Sequence, residues 1–162
     1  MTGLTKECIG YENGVLGGVV SALNVFYSRG DKVLLHAPTY SKFTSCLTNT
    51  GYTIVLSPLV KDEQEIWRMD FEDMEKKSVE NNIHATLLCS PHNPSGRVWE
   101  RWDLEKAMEI FTRHDVYVVS DEIWADIVRP GYKHIPTQMV TPWAREHTGA
   151  LYAPPKPSIW RV

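Results

Sequence analysis

Short, unbroken apolar runs alternate with stretches of helical spacing along this chain. KVLLHAP (32–38), YTIVLSP (52–58), ATLLCSP (85–91) and VYVVSDEIW (116–124) are continuous hydrophobic runs, three of them closed by proline. Continuous rather than alternating runs are what strands buried on both faces require. Between them lie four stretches with helical character: VLGGVVSALNVFYS (15–28), Tyr40 to Asn49, MDFEDMEKKSVEN (69–81) and WDLEKAMEIFTRH (102–114). The last carries Leu104, Ala107, Met108 and Phe111 on one face. Arg29-Gly30-Asp31 and Thr50-Gly51 stop the first two helices, and Leu59 to Arg68 reads as a polar connection. This rhythm predicts an α/β fold of three layers, α/β/α, around a mostly parallel sheet.

Composition narrows the possibilities without choosing among them. With 162 residues, 43% hydrophobic and 23% charged, the chain has the balance of one folded globular domain. The net charge of −3 is spread without a basic stripe, which argues against nucleic acid as a partner. Cys8, Cys46 and Cys89 are odd in number and form no CxxC pair, and the six histidines show no paired-ligand spacing, so no metal site is expected. No apolar run has the length of a membrane span, and MTGLTKECIG lacks the layout of a signal peptide. A cytoplasmic location is the expectation.

In an open parallel sheet, ligands gather beyond the carboxyl ends of the strands. Those positions here are Pro38 to Tyr40, Ser90 to Gly96, Ser120 to Trp124 and Pro154 to Lys156. Taken singly, an Asp after a strand is a helix cap, an Asn between prolines is a turn residue, and GVLGGV lacks the order of a dinucleotide loop. Taken together, SPHNPSGRV (90–98) followed by SDEI (120–123) closely resembles the large domain of the class I/II aminotransferase family, the fold type I enzymes that use pyridoxal 5'-phosphate. More narrowly the chain is similar to the cystathionine β-lyase-like C-S lyases of that family. The likeness runs from YENGVLGGVVSAL to LYAP.

The resemblance implies a role for each matched residue. Asp121 would hold the proton on the cofactor's ring nitrogen, and Asn93 would donate a hydrogen bond to its phenolic oxygen. Tyr40, in APTY, would stack on the ring. Gly14, Val15 and Leu16 would form the phosphate-binding turn at a helix N-terminus. Trp124 stands where many relatives have tyrosine or histidine, and its indole N–H can donate toward the same phenolic oxygen. Lys156, after LYAPP, is the expected lysine that holds the cofactor covalently and moves the substrate's Cα proton; proline precedes it where relatives carry a small hydroxyl residue. His92 is expected to be structural.

The resemblance also implies that residues 1–156 are part of a cofactor-binding large domain whose remainder lies outside this sequence. In relatives the lysine is followed by a stretch like Thr-Phe-Asn-Leu-Ala-Gly. Written AAA ACC TTC AAT CTG GCG GGT with its lysine, it becomes AAA CCT TCA ATC TGG CGG GT when one A is lost. That reads as Lys156 to Val162, so residues 157–162 are expected to be an out-of-frame tail; resequencing that finds no aminotransferase-like sequence in the other frame would overturn this. The expected activity is β-elimination of a sulfur leaving group from cystathionine or cysteine conjugates, giving pyruvate, ammonia and a thiol. Transamination remains the alternative, as does a truncated product without catalysis. The expected partners are a small amino-acid substrate and a second copy of the enzyme.

Overall fold

The computed structural model describes residues 5–153, so Lys156 and the expected tail at 157–162 lie outside the described residues. Gly14, with φ 82°, ends the entering coil and starts α1 (Val15–Phe26), which buries Gly18, Val19 and Leu23. β1 (Lys32–Ala37) follows, then α2 (Ser41–Thr50), which closes on left-handed Gly51. β2 (Thr53–Lys61) runs past the expected strand end and turns back as β3 (Trp67–Met69). The region read as a polar connection therefore contains an antiparallel hairpin. Asp62 organises its turn by accepting from the N–H groups of Gln64 and Ile66 and pairing with Arg68.

α3 (Phe71–Asn81) begins two residues later than its pattern suggested, because the Asp70 side chain caps it by accepting from Asp73 N–H. β4 (Ala85–Cys89) leads to α4 (Arg101–Arg113), whose start is fixed by a reciprocal box between Glu100 and Asp103. β5 (Tyr117–Asp121) comes next. Beyond it come α5 (Pro142–His147), capped by Thr141, to which the sequence pattern assigned no element, and β6 (Thr148–Leu151), which supplies the strand expected before Pro154.

The strand order is β3-β2-β1-β4-β5-β6, parallel except for β3. Two cores form because successive side chains of a strand leave on opposite faces. Val33, Leu35, Ala85, Leu87 and Val119 pack with Val19, Leu23, Phe43 and Leu47 of α1 and α2. Leu34, Leu88 and Val118 pack on the other face with Met74, Leu104, Met108, Phe111 and Ala144 of α3, α4 and α5. All four residues assigned to the apolar face of α4 are fully buried. The chain moves outward from β1 to β2 and then crosses to β4 on the other side, so the direction of winding reverses between β1 and β4. A parallel sheet opens a crevice at such a point. No helix among the described residues is long and apolar enough to cross a membrane.

Candidate active site

Asp121 is the last residue of β5 and is paired in register with Cys89 on one side and Leu151 on the other. Its carbonyl accepts from Ser90 N–H, and the next N–H, of Glu122, donates to Leu151 O, both at 2.9 Å. Both neighbouring strands thus anchor the backbone that carries the carboxyl. The side chain lies on the α1 and α2 face with Val119 and Cys89, and the residue is 5% exposed. Oδ1 accepts from Ile123 N–H at 3.1 Å, and among the described residues Asp121 forms no ion pair. Burial, with a smaller contribution from the Glu122 charge, pushes its pKa up to about 6.

The start of α1 is brought to the same sheet end. Phe26, at the end of the helix, packs on Tyr117 at the start of β5, with ring centroids 4.5 Å apart. Near the other end, a Cβ on Gly18 would meet Leu151 Cδ2 at 2.9 Å. Helix and strand therefore run in opposite senses, and the Gly14-Val15-Leu16 turn sits at the carboxyl end of β5 and β6. No side chain caps this N-terminus and no acidic residue occupies its first turn. Open N–H groups and the positive end of the helix dipole make it suited to an anion.

Across the crevice, Tyr40 follows β1 and precedes α2, with its ring edge-on to Phe43 at 5.3 Å. Asn93 follows β4 in a loop bound tightly to that strand. Its N–H reaches Cys89 Sγ at 3.4 Å, and the thiol donates to Pro91 O at 3.3 Å. Burial first, then Asp121, pushes the Cys89 thiol up to about 12, so it stays a neutral prop for the turn. Trp99 Nε1 donates to Cys89 O at 2.9 Å, and His92 bonds Ser95 Oγ at 2.8 Å while packing edge-on to Trp99. These contacts fix His92 against Ser95 and Trp99. The Asn93 side-chain amide makes no hydrogen bond among the described residues and keeps its capacity for a ligand.

Trp124 is 44% exposed and lines a cleft of about 590 Å³ together with Asn93, Trp67, Arg97 and Tyr132. Neither Asp121 nor Tyr40 lines that cleft, so it adjoins the Asp121 crevice rather than coinciding with it. The start of α1 and the ends of β1, β4 and β5 with the loops after them thus bring Gly14, Val15, Leu16, Tyr40, Asn93, Asp121 and Trp124 to one end of the sheet. Cys89, Trp99 and Glu122 were not singled out in the sequence. Glu122 acts through His134 and Thr137, contacts that no local pattern marks, whereas the Cys89 thiol props the nearby turn at Pro91 and Asn93 and Trp99 ties that turn's strand end from ten residues away. Among the described residues no group of His, Cys, Asp and Glu could hold a metal ion.

Comparison with known proteins gives this geometry a context. The family model described as "Aminotransferase class I and II" matches residues 4–150. Cystathionine beta-lyase PatB of Bacillus subtilis is 38% identical over 133 residues, which are 82% of this chain and 34% of that protein. The crystal structure of cystalysin from Treponema denticola, whose description names a pyridoxal 5'-phosphate cofactor, superposes with a TM-score of 0.82 at 34% identity, covering 88% of this chain and 36% of that one. A PLP-bound putative aminotransferase from Clostridium difficile 630 gives 0.81 at 35% identity, covering 87% and 36%. The chain spans about a third of the length of these relatives.

Proposed function

Since the chain belongs to the aminotransferase class I and II family, we propose that it carries part of a pyridoxal-phosphate site and that the enzyme it represents is a C-S β-lyase acting on cystathionine or cysteine conjugates. The observation that carries this reading is the buried Asp121 carboxyl, without an ion pair among the described residues, at the same sheet end as the open start of α1. A buried carboxylate is costly unless a cation or several donors meet it, and a protonated ring nitrogen is such a cation. Val15 and Leu16 would offer N–H groups to the phosphate, Asn93 a donor to the phenolic oxygen, and Tyr40 a ring face.

When bound, pyridoxal phosphate supplies a sink for the electron pair left at the substrate's Cα. Asp121 would keep the ring nitrogen protonated. Lys156, outside the described residues, would take the Cα proton, and the Cβ–S bond would break with its electrons leaving on sulfur. With water the products are pyruvate, ammonia and a thiol. Relatives such as PatB favour the lyase, whereas the same first proton transfer serves transamination, the second reading. Pairing into a homodimer and a cytoplasmic location belong to this proposal too.

The test is to purify the 162-residue chain with pyridoxal phosphate. The lysine-bound cofactor is expected to give visible absorbance that Lys156→Ala removes, and the enzyme to release pyruvate from cystathionine. Absorbance with transfer of the amino group to an oxo acid instead would select the transaminase, and the absence of any cofactor band would refute both.

A further inference from the structure

Asp121 ends β5 and Glu122 follows it, and their carboxylates leave the chain in opposite directions. Asp121 joins Val119 and Cys89 on the α1 and α2 face, as described above. Glu122 turns the other way, with its side chain 4% exposed, and meets three donors. Oε1 accepts from Ser120 Oγ at 3.0 Å and from Thr137 N–H at 2.9 Å. Oε2 accepts from His134 Nε2 at 2.8 Å. The single proton of Ser120 goes to Glu122, so the Thr137 hydroxyl donates to Ser120 across 2.8 Å and closes the ring of contacts.

We infer that Glu122 is a positioning residue of the cofactor site: by clamping residues 134–137 to the end of β5 it sets the loop between them, and with it the places of Asp121 and Trp124. The inference rests on the functional reading above. A carboxylate this deeply buried is a poor choice for packing alone, since an apolar side chain would fill the space without the cost of desolvating a charge. What the carboxylate adds is two directed bonds, from His134 and Thr137, to a segment that has few others, with a third from Ser120 of β5. Between Ile123 and Pro136 the backbone closes only isolated turns, such as Ala125 N–H to Glu122 O and Ile127 N–H to Trp124 O. Ile135 packs on the core, and the Tyr152 hydroxyl donates to Asp126.

This loop supplies Trp124, Ile127, Val128, Arg129 and Tyr132 to one wall of the cleft that Asn93 shares. Its first residues are also the sole hydrogen-bond support of the Asp121 carboxyl among the described residues, through Ile123 N–H. Releasing the clamp therefore reaches both the Asp121 carboxyl and a wall of the adjoining cleft. Glu122→Gln keeps an oxygen for Thr137 and Ser120, whereas Glu122→Ala removes every arm.

The test follows both variants and wild type in the 162-residue chain by hydrogen exchange without cofactor and by titration with pyridoxal phosphate. Glu122→Ala is expected to speed exchange across 123–137 about tenfold or more, with β1 and β4 still protected, and to weaken cofactor binding about tenfold. Glu122→Gln should stay within about threefold on both readouts. If Glu122→Ala does not fold, His134→Leu, which removes one arm, is expected to show the same pair of effects at smaller size. Faster exchange with cofactor affinity equal to wild type would overturn the inference and leave a purely structural clamp; unchanged exchange would overturn it as well. If wild type takes up no pyridoxal phosphate, the functional reading falls and the inference with it, an outcome distinct from wild type binding and the alanine variant binding equally well.

Discussion

At neutral pH the Asp121 carboxyl is held as an anion where burial opposes the charge. An aspartate ordinarily titrates near 3.8, and in the folded chain this one titrates near about 6. Between those values the folded state binds the extra proton. The stability contributed by the neutral carboxyl is thus complete below about pH 4 and is lost as the pH rises through about 6. Asp121→Asn keeps the shape and removes the charge. The cofactor-free protein should therefore gain roughly 2 kcal/mol at pH 7, seen as a raised Tm, while cofactor binding falls sharply. A variant that loses stability at pH 7 would contradict this account. Under the proposed function, cofactor binding and stability of the cofactor-free chain oppose each other at this residue.

Among the elements, α1 shows how one backbone torsion prepares a site. Gly14 combines φ 82° with ψ 158°, a region that side chains strongly disfavour. A Cβ there would meet nothing within 4 Å, so any cost of Gly14→Ala comes from the backbone rather than from crowding. The variant should lose about 1–3 kcal/mol of stability. It should also weaken pyridoxal phosphate binding more than binding of unphosphorylated pyridoxal, because in the proposed site the altered turn would face the phosphate. Equal weakening of both ligands would place the turn away from the phosphate. The elements missed in the sequence were short ones. Trp67–Met69 is too brief to show a period, and Pro142–His147 is a single turn and a half whose start depends on the Thr141 cap.

Over the whole molecule, a pair of histidines behind the crevice contributes to the response to acid, beside the paired carboxylates Asp62, Asp73 and Glu100, whose pKa values are lowered. His36, at the end of β1, is buried, and neither ring nitrogen has a partner among the described residues. Burial, then the neighbouring His92, lowers its pKa to about 3, and burial lowers that of His92 to about 4. Both rings pack near Trp99, with centroids 6.3 and 5.6 Å from its ring. Unfolded histidine takes up its proton near 6.5, so the stability these neutral rings contribute is complete above that pH and is lost as the pH falls through about 4 and then about 3. Asp121 works in the opposite direction over part of this range, but two groups outweigh one. His36→Leu should move the midpoint of acid unfolding, followed by tryptophan fluorescence, to lower pH. An unmoved midpoint would exclude His36 as a cause.

The continuous apolar runs determined by themselves that the strands are buried on both faces, and hence the layered α/β architecture. The paired SPHNPSGRV and SDEI stretches determined the family, because residues needed at two strand ends are fixed locally by the turns that follow each strand. Only the tertiary structure decided that the open start of α1 lies beside Asp121, because helix direction is set by contacts between Phe26 and Tyr117 and between Gly18 and Leu151, which are remote in sequence. It likewise decided the division of labour between two neighbouring carboxylates. Asp121 and Glu122 look alike in the chain, and only the pleat of β5 and the return of residues 134–137 turn one toward the crevice and bind the other into the scaffold.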